Sequence, residues 1–123
     1  GDTGPYLLYS YARASSILRK AKKKTTKADK TKVNIFDLND AEVALIKKIY
    51  EFPDAITKAY NTLTPNTIAH YAYELAKSFN EFYHNSQVIG GPEEAFRLEL
   101  VQAFRITLQK SLHLLGIETL EEM

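Results

Sequence analysis

The feature that most constrains the fold is a series of five apolar stripes with helical spacing, each following its own start signal. Apolar residues at intervals of three and four share one face of an α-helix. The best-defined stripe contains Ile68, Tyr71, Ala72, Leu75, Ala76, Phe79 and Phe82. The alternation that marks strands is nowhere sustained, and each of the four prolines stands where a helix can begin. The sequence therefore predicts an all-α bundle of about five helices.

Caps and prolines set the predicted helix boundaries. The first helix is predicted to begin at Thr3-Pro5 and to run towards Lys24. The second is predicted to extend from Asn39 to Phe52 and the third from Pro53 to Tyr60. The fourth begins at Thr64-Pro65, and the fifth extends from Pro92 to Leu115. Thr3 is the predicted cap of the first helix, and Asn39 with Glu42 resembles a capping box.

The ends of the last two helices also carry signals. Residues 84–91 are predicted to form a loop between the fourth and fifth helices. Gly116 suits the left-handed residue that closes a helix, and Ile117 can fold back on Leu112 in a Schellman motif. A final turn capped by Thr119 and Glu122 would hold Met123 in place.

Composition excludes several kinds of site. The chain of 123 residues is the size of one domain and has no cysteine, so it has neither a disulfide nor a catalytic thiol. The three histidines lie on different segments, and no phosphate-binding loop or nucleophile with a base is present. We therefore predict no catalytic site and no metal site. No apolar run is long enough to span a bilayer, so we expect a cytoplasmic protein without a membrane partner.

Charge is divided unequally along the chain. Residues 1–36 carry nine Lys or Arg against two Asp, a balance of +7, whereas the remainder carries seven basic against thirteen acidic residues, a balance of −6. Such a basic end favours a polyanion such as RNA or DNA, bound through a single docking face. Residues 22–38 are predicted to form a flexible basic loop, because residues 25–32 lack apolar periodicity and their lysines repel one another. Its lysines are expected to attract a polyanion nonspecifically.

The first helix presents aromatic and basic side chains on one face. Tyr6, Tyr9 and Arg13 fall within a sector of about 60°, which Lys20 extends, whereas Leu7 lies on the opposite face. Aromatic rings beside cations suit unpaired nucleic-acid bases. The alternative is that the tyrosines pack at a domain junction while Arg13 pairs with a carboxylate. Spacing alone favours packing, and a helical protein-protein interaction module with this docking face stays open.

Both ends of the chain resemble a known family. The opening Gly1-Asp2-Thr3-Gly4-Pro5-Tyr6-Leu7, followed by Tyr9 and Arg13, is similar to the start of the C-terminal, DALR-type anticodon-binding domain of class I arginyl-tRNA synthetases. Arg97-Leu98, Leu114-Leu115-Gly116-Ile117-Glu118 and the terminal Met123 also match its pattern. Two departures are Leu8, where the family often has Gln, and Leu120-Glu121-Glu122, where Pro-Glu-Arg is common.

The resemblance implies a function and a set of contacts. The chain is expected to be a single all-helical anticodon-binding domain of a longer arginine-tRNA ligase, whose catalytic domain precedes Gly1 and uses ATP with Mg. Its implied partners are the anticodon loop of arginine tRNA and that catalytic domain, in a monomer, with no cofactor held by this part. The implied tRNA-binding residues are Tyr6, Tyr9, Arg13, Lys20 and Met123.

Overall fold

The computed structural model describes residues 3–23 and 37–119, which form five helices and no strand. These are α1 (Thr3–Lys23), α2 (Asp40–Tyr50), α3 (Phe52–Thr62), α4 (Asn66–Asn85) and α5 (Glu94–Leu114). The predicted all-α bundle of five helices is confirmed. None of these five helices is both long enough and apolar enough to cross a membrane.

The core is built around α4, which packs against each of the other four helices. The whole predicted stripe of α4 is buried. At its centre, the Phe79 ring stacks on Phe104 of α5, with centroids 4.0 Å apart and planes 4° apart. Each buried side chain of this size contributes roughly 1.5–3 kcal/mol to folding, so this stripe is a major source of stability.

Paired contacts along the helices give their relative directions. Arg97, near the start of α5, contacts Gln87 just after the end of α4, and Phe104 further along α5 contacts Phe79 within α4. The two helices are therefore antiparallel. Tyr6 and Arg13 of α1 contact Tyr73 and Asn80 of α4 in ascending order, so α1 is parallel to α4. Consequently α1 begins at the end of the bundle where α5 finishes.

The capping box at the start of α2 is confirmed, and it also holds α5. The Asn39 Oδ1 atom accepts from the Glu42 N–H at 2.8 Å, and Glu42 Oε1 accepts from the Asn39 N–H at 2.9 Å. The second oxygen of this buried carboxylate pairs with Arg97 Nε at 3.1 Å. Arg97 Nη1 also donates to the Gln87 carbonyl at 2.8 Å. One glutamate thus joins the start of α2 to the start of α5.

The junction between α2 and α3 differs from the prediction. The second helix ends at Tyr50, and Phe52 begins α3 because Glu51, at φ −77° and ψ −8°, closes one helix and precedes the next. The Ala55 N–H bonds to the Glu51 carbonyl at 3.0 Å, so the new helix starts before Pro53. The Phe52 ring packs on Tyr71 at 5.9 Å. Burial raises the pKa of the Tyr71 phenol, aided by the charge of Glu51, and its hydroxyl donates to the Lys48 carbonyl.

Four other boundaries also need correction. Thr3 is a helical residue of α1 instead of its cap, and α3 continues past Tyr60 to Thr62. The fourth helix runs on through His84 to Asn85, whose side-chain amide donates to the Glu81 carbonyl one turn back, at 2.7 Å. The fifth begins at Glu94, two residues after the proline.

The end of α5 follows the prediction. Gly116 has a φ of +77°, its N–H bonds to the His113 carbonyl at 3.0 Å, and the Ile117 N–H bonds to the Leu112 carbonyl at 2.9 Å. These two bonds define the Schellman motif. Lys22 and Lys23 belong to α1 instead of the predicted basic loop, and residues 24–36 of that predicted loop lie outside the described residues. The predicted final turn capped by Thr119 and Glu122 cannot be described either, because Glu122 lies outside the described residues.

Candidate nucleic-acid interface

Side chains of α1 and α4 form one exposed surface, which we call the tyrosine ridge. Its members are Tyr6, Tyr9 and Arg13 on α1 and Tyr73, Asn80 and Tyr83 on α4. Three of the rings are open to solvent, with exposed fractions of 51% for Tyr9, 40% for Tyr73 and 39% for Tyr83. The two helices run parallel, so the ridge follows their shared groove and presents aromatic faces along it.

Arg13 lies at the centre of the ridge. Its Nη1 atom donates to Asn80 Oδ1 at 2.7 Å, and its Nη2 atom donates to the Tyr9 hydroxyl at 2.8 Å. The guanidinium carbon lies 4.8 Å from the centroid of the Tyr9 ring and 4.3 Å from that of Tyr83, both within range of a cation–π contact. These partners, all within the described residues, are neutral, in contrast to the carboxylate considered from the sequence, so none of them cancels the positive charge of Arg13.

Asn80 connects Arg13 to the rest of the ridge. Arginine only donates, so the amide oxygen of Asn80 must face the guanidinium and its nitrogen must face α1. That nitrogen lies 3.0 Å from the Tyr6 hydroxyl, from Ser10 Oγ and from the Ala76 carbonyl. Ser10 in turn donates to the Tyr6 carbonyl at 3.0 Å. Because two amide hydrogens serve three oxygens, Asn80 has little freedom to rotate.

The two tyrosines predicted on α1 have different environments. Tyr6 is half-buried, and its ring packs against Tyr73 with centroids 5.5 Å apart. Tyr9 is half-exposed and contacts Arg13 through both its ring and its hydroxyl. The packing alternative therefore describes part of the role of Tyr6, whereas Tyr9 offers a ring face to solvent.

The remaining predicted residues are further from this centre. Lys20 is an exposed residue on α1, seven positions after Arg13, so it lies on the same face about 10 Å further along the axis. Met123 lies outside the described residues. The structure thus brings Tyr6, Tyr9 and Arg13 together and places Lys20 in line with them.

Sequence reasoning missed the α4 half of the ridge. Tyr73, Ala76, Asn80 and Tyr83 have helical spacing and lie beside the core stripe, with a polar residue between two tyrosines. That second stripe is a detectable signal. Its pairing with α1 is not, because the contacting residues are 67 to 74 positions apart in the chain.

The fold and the ridge define a class of protein: an all-α bundle with aromatic rings on a single face, beside a cation whose partners among the described residues are neutral. The sequence matches the DALR anticodon binding domain family over residues 7–123, and the chain belongs to that family. The resemblance noted in the sequence is confirmed.

The relatives with curated sequences or solved structures that resemble this chain are arginine-tRNA ligases, also called arginyl-tRNA synthetases. An arginine-tRNA ligase of Streptococcus pneumoniae is 42% identical over 125 residues, which cover all of this chain and 21% of that protein. The arginyl-tRNA synthetase of Thermus thermophilus superposes with a TM-score of 0.82 at 37% identity, covering 100% of this chain and 21% of the other. That of Plasmodium falciparum gives 0.78 at 28% identity, covering 100% and 22%. The chain therefore spans about a fifth of the length of these relatives.

Proposed function

We propose that this chain is the anticodon-binding domain of an arginine-tRNA ligase and that the tyrosine ridge holds unstacked bases of the anticodon loop. In this proposal a catalytic domain preceding Gly1 joins arginine to the tRNA with ATP, and this chain contributes recognition. Family membership over residues 7–123 supports RNA over a protein as the ligand of the ridge. The single observation that carries the proposal is the contact of the Arg13 guanidinium with two solvent-exposed tyrosine rings.

The exposed rings supply stacking platforms. A splayed base needs a flat apolar partner, and stacking on an aromatic ring is worth roughly 1–3 kcal/mol per base. Tyr9 and Tyr83 are both open to solvent, and their ring centroids lie 4.8 Å and 4.3 Å from the Arg13 guanidinium carbon. A base can stack on either ring and still lie within reach of the guanidinium edge.

Arg13 supplies donors for the base edge. A guanidinium has five N–H groups, and its bonds to Asn80 and Tyr9 use two of them. All arginine codons have G at the second position, so the corresponding anticodon base is C. The pairing edge of cytosine presents O2 and N3 as acceptors, whereas uracil presents an N–H at N3. A fixed donor fork therefore favours cytosine at this position.

Positive charge beyond the ridge supports binding of the phosphate strand. Lys20 continues the line of Tyr9 and Arg13 along α1, where its ammonium group can approach the backbone that leads away from the loop. Phosphate contacts of this kind orient the nucleic acid but carry no sequence information. In this proposal Lys20 contributes affinity, and Tyr9 and Arg13 contribute selectivity.

The test uses Tyr9→Ala and Arg13→Lys in the full-length ligase that carries this chain. Aminoacylation kcat/KM is measured on arginine tRNA whose middle anticodon base is C or is changed to U. We expect each variant to lose about tenfold or more of the wild-type preference for C, the equivalent of about 1.4 kcal/mol. Arg13→Lys keeps the charge but loses the planar fork.

The matched control is Tyr50→Ala, a tyrosine on α2 that is 79% exposed and lies outside the ridge. It should keep the wild-type preference for C. If Tyr9→Ala and Arg13→Lys fold normally and discriminate as well as the wild type, the ridge does not read the anticodon and its tyrosines are structural.

A further inference from the structure

A second apolar surface lies on α3, away from the ridge. Among the large apolar side chains of the described residues, the most exposed are Leu63 at 86%, Tyr50 at 79% and Tyr60 at 78%. None of the residues of α3 is fully buried. Leu63, which ends the helix, adopts φ +52° and ψ +37°, a left-handed conformation that residues with a Cβ disfavour. The helix thus buries Phe52 and Ala55 only in part, leaves Tyr60 largely in solvent and is followed by a strained leucine.

This exposed face continues into a groove between α3 and the end of α5. Ile56 and Tyr60 lie one turn apart on the same face of α3, and Ile56 also lines the groove. The groove has a volume of about 630 Å³, and its apolar lining includes Phe52, Leu114 and Ile117. We call this continuous area, formed by Phe52, Ile56, Tyr60, Leu63, Leu114 and Ile117, the α3 surface.

The α3 surface and the tyrosine ridge lie on opposite sides of α4. Tyr71 faces Phe52 of α3 at 5.9 Å, whereas Tyr73 faces Tyr6 of α1 at 5.5 Å. Residues two positions apart in a helix are separated by about 200° around its axis, so these two directions are nearly opposite. A body that covers α3 therefore leaves the ridge free for RNA.

We propose that the α3 surface is where this domain docks onto the rest of the ligase, the part that precedes Gly1 in the proposed function. This inference rests on that proposed function. Relatives that are 42% and 37% identical devote only 21% of their length to the matching region, so about four-fifths of each lies elsewhere in the same chain. The groove also lies at the end of the bundle where α1 begins, which is the end at which such a body joins.

The chemistry of the surface suits protein better than RNA. The 11 residues of α3 include one acid, Asp54, and one base, Lys58, so the helix has no net charge to attract phosphates. Interfaces between domains of one chain typically bury about 600–1,500 Å². Exposed tyrosine and leucine side chains beside an apolar groove supply the kind of contact that such an interface uses.

Thiol labelling tests the proposal, because this chain has no cysteine of its own. Leu63→Cys and, separately, Ile106→Cys are introduced into the full-length ligase without tRNA, and the rate of maleimide addition is measured on the corresponding peptide by mass spectrometry. In the domain alone Leu63 is 86% exposed and Ile106, on α5, is 39% exposed. Docking should cover position 63 and leave position 106 exposed. In the full-length ligase we therefore expect Cys at position 63 to react at least tenfold more slowly than Cys at position 106. Tyr60→Cys should behave in the same way.

Several outcomes would overturn the proposal. Equal or faster labelling at position 63 shows that nothing covers the surface. If the protection disappears on dilution, a second copy of the chain covers the surface. If it disappears when residues 120–123 are removed, the chain's own end covers the surface. If it requires tRNA, RNA covers the surface. The labelling needs no tRNA, so a protected position 63 in an enzyme that ignores the anticodon would refute the anticodon assignment alone.

Discussion

At the scale of single residues, the geometry of the ridge depends on Asn80. Its amide oxygen accepts from Arg13, and its nitrogen lies within 3.0 Å of oxygens on Tyr6 and Ser10. No other side chain of the ridge contacts both Arg13 and Tyr6 through hydrogen bonds in the described part of the chain. Asn80 therefore acts on any bound base through Arg13, as a positioning residue.

Asn80→Ala should reduce both anticodon selectivity and stability. Removal of the acceptor frees the Arg13 guanidinium to rotate, and each missing hydrogen bond costs about 1 kcal/mol of stability. We expect the preference for C over U at the middle anticodon position to fall by about tenfold, measured as the ratio of aminoacylation kcat/KM.

The control for this prediction is Asn85→Ala on the same helix. The Asn85 amide bonds to the Glu81 carbonyl at 2.7 Å and is exposed, so its loss should leave selectivity unchanged. An Asn80→Ala enzyme with lower thermal stability but wild-type selectivity would limit Asn80 to a packing role.

At the scale of helices, the sequence predicted those helix ends that are determined by residues close together in the chain. The capping box of α2 and the Schellman closure of α5 were predicted because each is complete within a few residues. The break between α2 and α3 was predicted between Phe52 and Pro53 instead of at Glu51, because its position depends on the packing of Phe52 against Tyr71, nineteen positions further along the chain. The α1 half of the ridge was predicted, but its contacts with Asn80 and Tyr83 require the parallel pairing of α1 and α4.

The ion pair between Glu42 and Arg97 joins two helices and should be costly to break from one side. The Glu42 side chain is 2% exposed and that of Arg97 is 14% exposed. Arg97→Ala leaves a buried carboxylate without its counter-charge, for which a loss of roughly 3–5 kcal/mol is typical. Chemical denaturation of the isolated chain, or of the full ligase where the domain unfolds separately, measures this loss.

A second ion pair provides the comparison. Lys48 and Glu51 lie 3.1 Å apart on the surface, with exposed side-chain fractions of 32% and 52%. Glu51→Gln should cost no more than about 1 kcal/mol, because water screens the pair. Equal losses for the buried and the exposed pair would mean that burial does not set the cost of breaking the pair, contrary to the structural argument.

At the scale of the whole molecule, charge and recognition are carried by different regions. The first 36 residues have a balance of +7 and the rest has −6, so a polyanion is drawn towards one end of the chain. The ridge adds one cation held by neutral partners. Attraction over distance therefore comes mainly from the lysines, and discrimination between bases comes from the ridge.

Neutralising lysines of the basic segment should change the salt dependence of tRNA binding without changing its specificity. In the variant, Lys24, Lys27, Lys30 and Lys32 become Gln in the full-length ligase. The slope of log K against log salt is negative, and each lysine–phosphate interaction that is removed reduces its magnitude by about 0.7 to 0.9. The slope should therefore become less steep by at most about 3 to 4. Binding is measured between low and moderate salt, with arginine tRNA and with a tRNA that carries another middle anticodon base.

The control is neutralisation of four exposed lysines outside the basic segment, at positions 47, 58, 77 and 110. These lie in the part of the chain with a balance of −6, where phosphates are repelled, so the slope should stay close to that of the wild type. Because lysine interactions with phosphates carry no sequence information, the preference for arginine tRNA should persist in both variants. If the preference is lost only when residues 24–32 are neutralised, that segment reads bases and the division of roles between lysines and ridge is wrong.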